Sequence, residues 1–126
     1  MRHAARSGHK YGAKPTVVDG IRFASQKEAK RYQELKLLER AGEIEALELQ
    51  PRFVLKTLLT TGMMRHAVKA LAGEHPVVGS YVADFKYYDL RDTTWKIEDV
   101  KGFKTPLYRW KKKHVEAQYG VTIREV

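Results

Sequence analysis

The stretch YVADFKYYDLRDTTWKIEDVKG, residues 81–102, decides the fold. Two runs rich in aromatic and β-branched residues flank a polar turn at 90–93, the pattern of a β-hairpin with strands at 78–89 and 94–101. Alternation puts Tyr81, Ala83, Phe85 and Tyr87 on one face of the first strand, and Val82, Asp84, Lys86 and Tyr88 on the other. In the second strand Trp95, Ile97, Asp99 and Lys101 share a face, with Lys96, Glu98 and Val100 opposite. A turn centred between Arg91 and Asp92 sets Asp84 directly across from Asp99, with β-carbons about 4.5 to 5.5 Å apart. Carboxylates so placed repel one another unless a cation compensates them.

A hard divalent ion fits that need. Mg²⁺ takes oxygen ligands, keeps several waters, and is usually held by one or two carboxylates together with substrate phosphate. Lys101 lies two residues beyond Asp99 on the same face and extends toward any phosphate bound there. The same residues also describe a surface hairpin with scattered charges, because a turn shifted by one residue breaks the opposition.

Upstream, Ser25-Gln26-Lys27-Glu28 has the form of a capping box and predicts a helix of about sixteen residues ended by Gly42. Ala29, Tyr32, Leu35 and Leu38 form its apolar stripe, and Glu28 falls near the middle of that stripe, within about 40° of Tyr32 and Leu35. A carboxylate is thus aimed at the core side, or else Glu28 only completes the cap. Before this helix, PTVVDGIRF reads as a small hairpin turning at Asp19-Gly20. After it, EIEALELQ reads as a strand with one wet face, interrupted by Pro51 before RFVLK. Residues 58–77 carry Gly62, Gly73 and Pro76 and read as an insertion or long loop; His66 and His75, within it, support no site.

Downstream, Thr105 and Pro106 open a helix to about Tyr119, and VTIREV closes as a strand. On that helix Leu107, Trp110, His114 and Ala117 are expected to pack, while Arg109, Lys112 and Lys113 form a basic ridge. Lys111 falls at the edge of the apolar side, and Lys104 leads into the helix beside the predicted site. Trp95 and Trp110 are expected in the core, and His114 as a packed histidine.

The order of elements predicts an α/β fold with a mixed central sheet flanked by helices and an N-terminal hairpin. The chain has 126 residues, enough for one domain, 13–126, behind a flexible basic arm, 1–12. Its formal charge is +9, from 24 Lys plus Arg against 15 Asp plus Glu. The excess sits in 1–14 and 101–114, which contain no acid. Positive charge confined to two segments suits a polyanion at a defined surface, and nucleic acid leads. The chain contains no Cys, which excludes disulfides, thiolate zinc sites and thiol nucleophiles, and suits a reducing cytoplasm. No apolar run is long enough to cross a membrane.

The acid of the first helix, followed by YVADF and then IEDVKG, resembles the PD-(D/E)XK nuclease superfamily. The succession ADF, VKG and a basic helix is similar to phage junction resolvases of the endonuclease I type. S-x-x-E, QPRF, ADF and EDVKG together resemble a family of small, poorly characterised phage and prophage proteins. The resemblance covers roughly residues 11–126. It implies a restriction-endonuclease-like αβββαβ core, Mg²⁺ with Mn²⁺ able to substitute, and catalytic residues Glu28, Asp84, Asp99 and Lys101. Asp84 and Asp99 would ligate metal, Glu28 would bind metal or its water, and Lys101 would orient the attacking water. Ala83 stands where a proline usually precedes the first acid. Glu98 ranks below Asp99 because its strand position turns it away. Gln50 matches a glutamine that some relatives place near the site, although a buried strand-end amide without catalytic part explains it equally.

The sequence thus predicts a phage-encoded, Mg²⁺-dependent DNA endonuclease, selective for branched DNA if it shares the resolvase substrate, with Lys104, Arg109, Lys111, Lys112 and Lys113 on the DNA. Junction cleavage would favour a homodimer, since two strands must be cut with symmetry. The alternative is a non-catalytic basic module that binds DNA or RNA, and a third reading is a structural phage protein.

Overall fold

The computed structural model describes residues 13–57 and 76–126. The basic arm and most of the hard-to-read 58–77 segment lie outside the described residues.

The chain enters through a hairpin, β1 (Thr16–Val18) and β2 (Ile21–Phe23), paired antiparallel. Its two turn residues, Asp19 and Gly20, have φ of 53° and 75°, the left-handed pair demanded by a two-residue turn that matches strand twist. Helix α1 (Gln26–Arg40) follows, with the Ser25 hydroxyl accepting the Glu28 N–H at 3.1 Å. It ends at Gly42, whose φ of 75° only glycine takes without strain.

Six strands and a second helix complete the described chain. They are β3 (Ile44–Leu49), β4 (Arg52–Lys56), β5 (Val77–Val82), β6 (Phe85–Asp89), β7 (Thr94–Asp99), α2 (Pro106–Tyr119) and β8 (Ile123–Glu125). The central sheet has the order β3-β6-β7-β8, antiparallel except for the parallel β7–β8 pair. It is a mixed sheet, and its elements succeed one another as α1, β3, β6, β7, α2, β8, the predicted αβββαβ order. Strands β4 and β5 form a separate antiparallel ribbon.

Two apolar clusters divide the core. In one, Ala29, Tyr32 and Leu35 of α1 meet Phe23, Ile44, Phe85 and Tyr87. In the other, Tyr108 and Val115 of α2 meet Leu55, Tyr81, Ala83, Ile97 and Ile123. Phe85 and Tyr87 occupy one parity of the hairpin and Ile97 the other, so the two helices cover opposite faces of the sheet.

The register from Phe85↔Glu98 to Asp89↔Thr94 is the one predicted from a turn between Arg91 and Asp92. One step further, Asp84 stands level with Asp99, its N–H donating to the Glu98 carbonyl at 3.0 Å.

Four expectations need correction. Residues 78–89 are not one strand: β5 pairs with β4, while β6 pairs with β3 and β7. The partners change between Ala83, whose N–H donates to the Pro51 carbonyl at 3.1 Å, and Asp84. Asp84 therefore lies at a switch between two sheets. The packed stripe of α2 is Tyr108 and Val115, two helical turns apart, and not the one through Leu107 and Trp110, which are 61% and 50% exposed. Trp95 is also outside the core at 55% exposed, packing edge-on against Tyr88 at 5.3 Å. His114 lies 2.8 Å from the Lys56 carbonyl and is only half-buried, so it ties α2 to the β4 ribbon.

Candidate active site

Three acids, Glu28, Asp84 and Asp99, and the lysine Lys101 meet near the end of the central sheet. Strand β7 presents Glu98 and Asp99 to opposite faces, both buried at 0% and 1% exposed. Asp99 turns toward the α2 side: the Tyr81 hydroxyl donates to its Oδ2, and Lys101 Nζ lies 3.2 Å from its Oδ1. Lys101 Nζ also rests 4.2 Å above the Tyr108 ring, a cation–π contact that fixes the lysine beside the acid.

The Asp84 carboxyl is a close neighbour of Asp99 and accepts the Val100 N–H at 2.7 Å. The break after Ala83 leaves its carboxylate at the sheet end, where α1 brings Glu28 against it. Glu28 is buried at 8% exposed, so its stripe position does aim it inward while its backbone completes the cap. Glu28, Asp84 and Lys101 line a cavity of about 550 Å³ with Ser25, Lys14 and Lys27. Gln50 is exposed rather than buried, and lines a smaller hollow with Glu28 and Asp84; its N–H donates to the Asp84 carbonyl at 2.9 Å.

The electrostatics record the crowding. Burial, then the neighbouring Asp84, push the Asp99 carboxyl up to about 7, against the lowering pull of Tyr81 and Lys101. Asp84 is also raised, by burial first and by the neighbouring Glu28 carboxylate, although Asp99 and the Val100 N–H pull it down. The two carboxyls together hold a proton to higher pH than a lone aspartate would.

A hard divalent cation suits this donor set in chemistry, since such an ion would let Asp84 and Asp99 both ionise, a state in which alone they would repel. Among the described residues, no group of three or more His, Asp or Glu is arranged to hold a metal ion. A cation held here would have Asp84 and Asp99 as its two protein carboxylates, with Glu28 close to Asp84.

A family model described as "Protein of unknown function (DUF1064)" matches residues 8–124. The chain belongs to the DUF1064 family. No curated protein and no solved structure matches it.

In this DUF1064 protein several residues that the sequence did not single out support the acids. Glu98 faces away from Asp99, as strand parity predicts, and accepts a two-pronged pair from Arg31 at 2.8 and 2.7 Å. The Tyr87 hydroxyl adds a bond at 2.5 Å. Burial favours the neutral acid, yet the Arg31 and Tyr87 hydrogen bonds outweigh it and lower the Glu98 carboxyl. The signal for Arg31 was its place one turn after Glu28, on the flank of the α1 stripe. Tyr81 carried no such signal, because parity in an unbroken strand puts it on the face away from Asp99; the break after Ala83 reverses that.

The predicted basic ridge separates into two groups. Lys104 and Lys112 are paired with Glu125 at 2.9 and 3.3 Å, and these lysines and the Tyr108 hydroxyl hold the Glu125 carboxyl down to about 2. Arg109, Lys111 and Lys113 have no carboxylate partner among the described residues. Lys111 shares a hollow with Lys101, Tyr81 and Tyr108, so α2 does bring one cation beside the acids.

Proposed function

We propose that this protein is a metal-dependent DNA endonuclease of the PD-(D/E)XK type, encoded by a phage and acting in the cytoplasm of its host. The observation that carries the reading is the convergence of three segments: Glu28 of α1, Asp84 just before β6 and Lys101 just after β7 line one cavity, and Lys101 Nζ lies 3.2 Å from the buried Asp99 beside it. Bound by Asp84 and Asp99, Mg²⁺ or Mn²⁺ would polarise the phosphoryl oxygen and offset the charge that develops on it. Glu28 holds water at the Asp84 side. Lys101 turns from Asp99 toward the phosphate, orients the attacking water, and stabilises the transition-state charge. Arg109, Lys111 and Lys113 hold flanking phosphates, which gives affinity without sequence reading.

A cleavage panel tests this, using linear, nicked and four-way-junction DNA with and without Mg²⁺. Divalent-ion-dependent cutting is expected, abolished in Asp84→Ala and Lys101→Ala while DNA binding persists. Cutting that both purified variants retain would overturn the assignment. Preferred cleavage of the junction would identify the resolvase-like substrate and call for a dimer.

A second reading, a basic module that binds DNA or RNA without cutting it, draws on one observation: Lys101 already pairs with Asp99 at 3.2 Å. Calorimetric titration with Mg²⁺ separates the two. Heat that Asp99→Asn removes supports the nuclease, and no such heat supports the binding module.

A further inference from the structure

We propose that Lys14, just before β1, and Lys27 and Lys30, on the first turns of α1, form a second phosphate-binding bank that holds the strand on the side of the acids away from α2. The inference rests on the nuclease reading and extends its nucleic-acid surface to residues outside the α2 ridge. The ligand is a polynucleotide backbone crossing the acid cluster.

The hollows of the surface define its course. The cavity above Glu28 and Asp84 is lined by Lys14, Lys27 and Lys101. A neighbouring hollow of about 220 Å³ shares Lys27 and Val100 with it and adds Lys30 and Arg31. On the other side, a hollow of about 220 Å³ shares Lys101 and adds Lys111. Because consecutive hollows share a residue, the cations follow one another without a gap: Lys30, Lys27, Lys14, Lys101, Lys111. The acids lie beneath the middle of this path.

The charges of the folded chain separate these cations from the ones already committed to acids. Arg31 is committed to Glu98 and Glu34, Lys36 to Glu39, and Lys104 and Lys112 to Glu125. Among the described residues, Lys14, Lys27 and Lys30 have no ion pair. Lys27 Nζ donates to the Lys101 carbonyl at 3.2 Å, a neutral acceptor that positions the ammonium at the cavity rim without cancelling its charge. Uncompensated cations gathered beside acids that repel a polyanion are what a substrate with phosphates on both sides of the cut requires.

The test is the salt dependence of DNA affinity, measured by fluorescence anisotropy on a labelled 20-base-pair duplex in EDTA. Binding is then read without cleavage, so failure of the nuclease reading leaves the measurement intact. For Lys27→Ala and Lys30→Ala combined, the slope of log affinity against log salt should fall by about 0.9 for each phosphate that the variant no longer neutralises. Lys111→Ala should fall likewise, and adding it to the α1 pair should sum the two effects. Lys36→Ala, paired with Glu39 further along α1, is the control and should keep the wild-type slope. A wild-type slope in the Lys27→Ala and Lys30→Ala double variant, with circular dichroism confirming its fold, overturns the proposal. So does a fall for Lys36→Ala as large as that of the double variant, which would show only a diffuse effect of net charge.

Discussion

Asp99 is held by groups of opposite effect: Tyr81 and Lys101 favour its charge, while burial and Asp84 oppose it more strongly and bring its carboxyl to about 7. In the unfolded chain an aspartate titrates near about 3.9. Between those values the folded state keeps a proton that the unfolded state has released, so metal-free stability falls as pH rises from about 4 to about 7. Asp84, also raised, acts in the same direction. Asp99→Asn should flatten this dependence and stabilise the metal-free protein at pH 8 by about 1 to 2 kcal/mol. Urea midpoints at pH 5.5 and 8 check it; equal pH dependence in both proteins would defeat the account. Mg²⁺ added at pH 8 should raise the wild-type midpoint and leave Asp99→Asn unmoved. The two aspartates were legible because hairpin register follows from where the turn is centred. Tyr81 was not, since its reach depends on a change of strand partner that no residue type announces.

The contact between α1 and β7 depends on Glu98, buried at 0% exposure and paired with Arg31 on the helix. Arg31→Ala leaves that carboxylate with only the more distant Arg124, at 3.6 Å, and the Tyr87 hydroxyl, and should cost about 3 kcal/mol in denaturant unfolding. Tyr87→Phe keeps the ion pair and should cost about 1 kcal/mol; an equal loss for both would mean that packing, not the buried charge, is being measured. Ser25→Ala should cost about 1 kcal/mol through the missing cap. At this scale the sequence was most legible where a local rule acts alone, as in the Asp19-Gly20 turn, the Ser25 cap, and the start of α2 at Thr105 and Pro106. It misled on the face of α2. Leu107 and Trp110 looked like the packed stripe, but Tyr108 and Val115, with fewer apolar neighbours on the helix, are the residues that reach Ile97 and Ile123.

Over the whole molecule, the sorting of apolar residues between core and surface gives a prediction that sequence and structure answer differently. Leu107→Ser and Trp110→Ser should each change stability by less than about 0.5 kcal/mol, whereas Leu35→Ala, at 0% exposure, should cost about 3 kcal/mol. Thermal melts of the three variants decide it, and a large loss at Trp110 would restore the packing first read from the sequence. The αβββαβ order was legible because each element has its own start and stop signal. The β4–β5 ribbon was not, because which strands pair is settled by contacts distant along the chain. Strand β8 also sets an order in time. The Val126 N–H donates to the Asp99 carbonyl, and the Lys101 N–H donates to the Val126 carbonyl. The backbone on either side of Val100 is therefore clamped by residues that leave the ribosome well after it. Such distant closures form late, after the local helices and hairpins. A chain still being synthesised carries Asp99 and Lys101 without this clamp, and a nascent chain that stops short of β8 lacks the two hydrogen bonds that hold their backbone.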